Sequence, residues 1–426
     1  MSTDPGMVPV PRPAGLRLHR WNDRAVLGVA IAAFASGFGQ FGVVAALGDV
    51  ARGFGQVSLG ATLADQAGLS GTELGIGLAI MRLASLAALP ITGLADRFGR
   101  RMMLLVTVGL GLVMTAAAAA SPSYWWFVAI FASGRPLLSA TNALAQVTAA
   151  EQTASADRAK AVALIAAGYG TGAGVIAIVH SLASRTIGFR GVFVLALVPL
   201  ALLPLLRHWI EEPDRFAVAA AGSRHPIPVL GAVAPPFRRR LVVILALAFA
   251  VSVITGPANS FVFLFAQSFL HQGGIVTAAM VVGAGVAGLA GLLIGRWLAD
   301  RVGRRLTGAL AMVTMALFAI LTYTGSAAAL LVGYILGVFA ASVFAPAAGS
   351  LVNELFPTSV RASVAGWSLA AGVLGAVTGL VVFGAVADVG HRFAVAGLVT
   401  FLPAALVMVL FWLLPETRGS EPEDLW

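Results

Sequence analysis

The chain has 426 residues, of which 59% are hydrophobic and 11% charged, with a formal net charge of +9 and no cysteine. Its mean hydropathy of +0.93 lies far above what water-soluble domains reach, which excludes a soluble globular protein. Without cysteine, disulfides, thiol catalysis and thiolate metal sites are excluded as well.

The apolar residues gather in runs of about 20, enough for a helix to cross roughly 30 Å of hydrocarbon. Twelve transmembrane helices are predicted, six in each half: 25–47, 72–94, 102–120, 124–149, 160–182 and 191–209, then 241–268, 275–298, 306–324, 328–352, 363–386 and 393–414. The runs are continuously apolar and do not alternate, so helices are expected and not barrel strands. Residues 1–24 bear Pro and Arg and suit a tail ahead of a start-transfer helix better than a cleavable signal.

An even number of spans puts both termini on one side. Of the 27 Lys and Arg, 21 fall on that side or in the span ends bordering it, four on the other side and two deep inside spans, which makes the termini cytoplasmic by the positive-inside rule. The basic charge is thus an orientation signal spread over short loops, and nucleic acid is not an expected partner. A bias of 26 Arg to one Lys points to a bacterial inner membrane.

The second span ends in LADRFGRR (94–101), and the eighth in LADRVGRR (298–305), an offset of 204. The neighbours repeat too. Glu151 and Arg158 match Glu354 and Arg361, Ala167-Gly168 matches Ala371-Gly372, and Glu212 after the sixth span matches Glu416 after the twelfth. The predicted fold is therefore all-α, two six-helix bundles (25–209 and 241–414) related by a pseudo-two-fold axis along the membrane normal. A central loop (210–240) joins them and a tail (415–426) follows.

These repeated loops, with ELFPTSVR (354–361) and PETRG (415–419), resemble those of the major facilitator superfamily, in particular its sugar and metabolite porters. The resemblance implies alternating access and a cytoplasmic gate. Its elements would be Asp96, Arg97, Gly99, Arg100 and Arg101 with Glu151 and Arg158 in the first half. In the second they would be Asp300, Arg301, Gly303, Arg304 and Arg305 with Glu354 and Arg361. Two positions depart from the family pattern: Thr92 and Arg296 stand where it has glycine, with Gly93 and Gly295 adjacent. The competing reading is that the loops hold charge only for orientation.

Two ionisable residues lie deep inside spans, Arg82 and Arg135, and no acid lies comparably deep. Each costs about 2.5–3.5 kcal/mol at a bilayer centre on insertion scales, which points to a function. A guanidinium suits a carboxylate or phosphate because its planar fork bonds both oxygens. Arg135, Ser139, Asn142 and Gln146 recur at helical spacing as one polar stripe; Ser252, Thr255 and Asn259, followed by Ser260, form another beside Gly256-Pro257, and the first span adds Ser36 and Gln40. In the family, helices 1, 4, 7 and 10 line a central cavity, so the expected substrate contacts are Arg82, Arg135, Ser139, Asn142, Gln40, Thr255 and Asn259. Two other readings stand beside this one: arginines bonding carbonyls freed by Pro136 or Pro90, and polar stripes gluing helices. Asp49, Glu73 and His180 near the outer mouth read as interfacial polar residues. The helix 4 arginine is also shifted, because the family position holds Phe131.

Six scattered histidines give no acid-base or metal constellation, so no enzyme, cofactor or metal is expected. The expected function is a secondary transporter moving a small organic anion or polar metabolite. Protons are the coupling ion that the porter-like motifs imply, and a monomer in the lipid bilayer is expected. The alternative is multidrug or metabolite efflux by proton antiport.

Overall fold

The computed structural model describes residues 18–58, 62–214, 233–390 and 392–419. Parts of the expected tails and central loop, with His225 and His391, lie outside the described residues. The long helices run α1 (Arg24–Ala45), α2 (Gly71–Phe98), α3 (Arg100–Ala120), α4 (Tyr124–Gln152), α5 (Ser155–Ala183) and α6 (Thr186–Trp209) in the first half. The second half has α7 (Phe237–Phe269), α8 (Gly274–Arg301), α9 (Arg304–Thr322), α10 (Ala327–Glu354), α11 (Ser363–Val389) and α12 (Phe393–Leu413). All but α4 are long and apolar enough to cross a membrane, which makes 11 among the described residues. The twelfth, α4, has the length, 29 residues, but Ser133, Arg135, Ser139, Asn142 and Gln146 along it make it too polar to qualify by composition.

Helices α1 to α6 pack on one another, chiefly α1 with α4 and α5 and α3 with α4, and α7 to α12 do likewise, chiefly α7 with α11 and α10 with α8 and α9. Within each bundle the sharp turn out of the repeated octapeptide sits on a glycine with positive φ, 98° at Gly99 and 118° at Gly303, where a side chain would be strained. These turns, with residues 18–24 and 415–419, define an arginine-rich face. Aromatic rings fill the opposite, far-face ends of the bundles: Phe127 and Phe193 in the first, Phe265, Tyr323, Phe383 and Phe393 in the second, at centroid spacings of 5.0–5.9 Å.

The bundles meet along two seams, α2 against α11 and α5 against α8. Small residues set both, because only they let helix backbones touch. A Cβ on Gly75 would stand 2.5 Å from the carbonyl oxygen of Leu380, one on Gly384 2.1 Å from that of Gly71, and one on Gly274 1.8 Å from that of Ser181. All three lie at the far face. Further along α2 toward the arginine face the packing ends, and a Cβ on Gly93 would meet no atom within 4 Å. Asp388 of α11 strengthens the α2 seam, accepting the backbone N–H groups of Gly71 at 2.6 Å and Thr72 at 2.7 Å as well as the Thr72 hydroxyl. The same helix end carries its own capping box, in which Ser70 Oγ accepts the Glu73 N–H and the Glu73 carboxylate accepts the Ser70 N–H. A short helix, Leu47–Phe54, and a shorter one, Leu63–Ala67, cover this face.

Gly75→Val should wedge the α2–α11 seam apart, with an overpacking penalty of about 1–3 kcal/mol against far-face closure. Cross-linking of cysteine pairs placed across that seam in the cysteine-free chain should fall several-fold, whereas Gly93→Val should leave it unchanged.

Candidate functional site

Between the bundles lies a cavity of about 270 Å³ whose walls come from α1, α2, α4, α5, α7 and α11. Arg82, Arg135, Gln40, Thr255 and Asn259 all line it, so five of the seven expected contact residues are brought together. Ser139 and Asn142 stand behind that lining: the Ser139 hydroxyl donates to Gln40 Oε1 at 3.2 Å, and Asn142 Oδ1 is buried without a hydrogen-bond partner. Phe41 and Ser260 contribute to the wall, as does Tyr169 of α5, which no polar stripe in the sequence announced.

Gln40 is fully occupied in joining α1 to α4. Its Nε2 donates to Ser36 Oγ at 3.0 Å, and the Ser36 hydroxyl donates in turn to the Leu138 carbonyl at 2.7 Å. That bond falls just past Pro136, whose ring removes one N–H from the α4 ladder. Arg135 reaches the Gln40 carbonyl only at 3.5 Å through Nη1, and its Nε is buried without a partner. Arg82 sits where α2 passes through a 3-10 turn, Ser85–Ala87, and its exposed guanidinium has no hydrogen-bond or ion-pair partner among the described residues. No Asp or Glu lines the cavity. Two guanidinium groups therefore offer unspent donors to one small space.

On α7, Pro257 interrupts the helix and Tyr323 seals the break, its hydroxyl donating to the carbonyls of Ala258 at 2.9 Å and Pro257 at 3.2 Å. Thr255 and Asn259 donate back to α7 carbonyls, at 3.0 Å to Val251 and 2.9 Å to Thr255, which fixes their rotamers at the cavity wall.

The repeated loops at the arginine face build one network twice. Arg100 pairs with Asp96 at 2.7 Å and with Glu151 at 3.3 Å; Arg304 pairs with Asp300 at 3.3 Å and with Glu354 at 3.2 Å. Arg101 and Arg305 donate to the carbonyls of Arg207 and Trp412. Arg97 and Arg301 stay outside these networks and lie over the rings of Phe98 and Trp297 at 5.5 and 5.0 Å. Arg158 is exposed, and Arg361 donates to the Phe356 carbonyl at 2.9 Å. Two residues complete the design that the sequence showed only as repeat landmarks. Glu212 accepts the N–H groups of Arg100 and Arg101, at 2.6 and 3.0 Å, and Glu416 those of Arg304 and Arg305, at 2.9 and 3.2 Å. A carboxylate thus caps the first turn of α3 and of α9, where the helix dipole favours an anion.

A family model described as Major Facilitator Superfamily matches residues 29–297 and 270–425. Among curated proteins, the chain is 30% identical to the 3-(3-hydroxy-phenyl)propionate transporter of Escherichia coli, over 70% of this chain and 73% of that one. It is 26% identical to a probable 4-methylmuconolactone transporter of Cupriavidus pinatubonensis, over 84% and 85%, and 26% identical to a gallate transporter of Pseudomonas putida, over 79% and 82%. Among solved structures, the inward-open xylose transporter XylE of E. coli superposes with a TM-score of 0.71 at 17% identity, covering 94% of this chain and 98% of that one.

Glu212→Ala and Glu416→Ala should each destabilise the protein by about 1–2 kcal/mol, the range of a lost N-terminal cap. Because the two caps serve different bundles, the double variant should lower the apparent Tm by close to the sum of the single shifts.

Proposed function

The chain belongs to the major facilitator superfamily, and from that membership we propose that it is a secondary transporter working by alternating access, whose cargo is a small ring-bearing carboxylate. One observation carries the cargo class: Arg82 and Arg135 face a single cavity in which no carboxylate answers them. Phe41 and Tyr169 add aromatic surface beside the guanidinium groups, as a flat organic acid requires. The cavity, about 270 Å³, falls just below the roughly 300–1,000 Å³ of sites for drug-sized ligands, which disfavours bulky cationic drugs as cargo. Gallate and 3-(3-hydroxyphenyl)propionate, for which two of the relatives are named, are both hydroxylated aromatic carboxylates.

In this reading residues 25–209 and 241–414 rock as units about the cavity and 210–240 is their joint. The arginine-rich face is cytoplasmic by the positive-inside rule, in a bacterial inner membrane. Asp96 and Asp300, 57% and 61% exposed, are placed to exchange partners as that face opens and closes, with Arg100 and Arg304 as their resting partners. In such a cycle the seams would hold the far face shut during the phase closed to the outside.

Ligand binding stabilises the folded state by mass action. Hydroxylated aromatic carboxylates should therefore raise the apparent Tm of the purified protein, and cationic drugs should not. Arg82→Ala and Arg135→Ala should remove that shift and abolish transport without loss of folded protein. Near-normal transport by both variants defeats the anion site, and stabilisation by cationic drugs alone favours efflux. Asp96→Asn should slow turnover in reconstituted vesicles more than it weakens binding; unchanged turnover defeats its role in the gate.

A further inference from the structure

No carboxylate or imidazole lines the arginine cavity. At the far face, a chain of polar contacts runs from the first bundle into the second. Asp49, on the short helix Leu47–Phe54, meets His180 Nε2 of α5 at 2.7 Å and accepts a bond from Arg52 at 2.6 Å. Arg52 then donates across the interface to Ser268 Oγ at 3.1 Å, in the π-helical turn Phe265–Phe269 that ends α7. Asp49 and Arg52 also line a polar cavity of about 510 Å³ with Gln267 and His271.

His180 is 0% exposed, and its Nδ1 is buried without a hydrogen-bond partner. That atom dictates the charge state compatible with closure. A neutral ring donating from Nε2 to Asp49 leaves only a bare lone pair at Nδ1, whereas a cationic ring would bury an N–H that has no acceptor. Asp49 must be anionic in turn to accept from both neighbours.

We infer that Asp49 and His180 form a proton-binding site which the far-face gate reads through Arg52 and Ser268. A proton arriving at the pair has two homes. On Asp49 it takes away an acceptor from His180 or Arg52, and on His180 it creates the orphaned N–H at Nδ1. Both loosen the tether to Ser268. The sign follows: closure is favoured while the pair is unprotonated and loses that support as pH falls, so acid at the far face promotes opening there.

Three other titratable groups face this region. His271 lines the same cavity from the α7–α8 loop. Asp65, on the neighbouring short helix, accepts from Ser58 and Thr62. Arg190, over the rings of Phe54 and Phe189, donates to the carbonyls of Ala119 and Ser121.

The inference rests on the alternating-access reading, but it can be tested without any cargo. Leu264, 0% exposed and facing Gly48 at the interface, is replaced in the cysteine-free chain by Leu264→Cys. A membrane-impermeant maleimide then reports far-face opening in right-side-out vesicles. Measured relative to a permanently exposed cysteine labelled at the same pH, which cancels the roughly tenfold fall in thiolate per pH unit, labelling should rise about fivefold when the external pH is lowered from about 7.5 to about 5.5. Asp49→Asn should label fast at both pH values, and His180→Gln, a permanently neutral donor, should label slowly at both. A purely structural role predicts the same direction of change in both variants. That result, or a wild-type pH response in His180→Gln, overturns the proposal while leaving the cavity arginines and their cargo class untouched. Folding of each variant is checked by size-exclusion profile, and Asp49→Glu, which keeps the carboxylate, should restore a pH response.

Discussion

Everything in this structure depends on how closely two helix backbones can approach. At the far face, Gly71 and Gly75 lie against Leu380 and Gly384, and Gly274 lies against Ser181, so closely that one added carbon at Gly75, Gly384 or Gly274 would fall inside van der Waals contact. Because the contact is made at one end of the helices only, the bundles diverge below it and a cavity forms where they part. The arginines owe their position to this geometry. Each is anchored in the first bundle, yet both face a wall built partly by α7 and α11 of the second. An anion held there touches both bundles, and so experiences their relative position directly.

The duplicated loops show the same economy at the other face. A carboxylate from beyond the last helix of each bundle, Glu212 or Glu416, caps the helix that follows the octapeptide, and the octapeptide arginine pairs with acids on two neighbouring helices. The same charge ties four helix ends of each bundle into one corner: those of α2, α3, α4 and α6 in the first, and of α8, α9, α10 and α12 in the second. In the proposed cycle such corners would let the bundles move as bodies without unravelling at their loops.

Much of this was legible in the letters. Continuous apolar runs marked the helices, and a constant offset of about 204 residues between landmarks marked the two bundles, because a duplicated fold keeps its turn chemistry at fixed register. Arg82 and Arg135 stood out because charge inside an apolar run is expensive. What escaped were contacts between residues distant in the chain. Tyr169 belongs to no polar stripe, and nothing local to Asp388 reveals that its carboxylate closes on the amides of Gly71 and Thr72. Asp49 and His180 are 131 positions apart and each looks ordinary alone; only the fold makes them a pair. The fourth helix shows the reverse case, for its length read correctly while its polarity, the mark of its role at the cavity, hides it from a criterion based on composition.

The beginning of α2 is secured twice, once by Ser70 and Glu73 of its own bundle and once by Asp388 of the other. In the proposed cycle Asp388 would leave when the far-face seam parts, while the Ser70–Glu73 pair would travel with the helix and the released amides of Gly71 and Thr72 would open into water. A joint secured in this way would leave no frayed end behind, and its returning partner would meet a helix start already shaped.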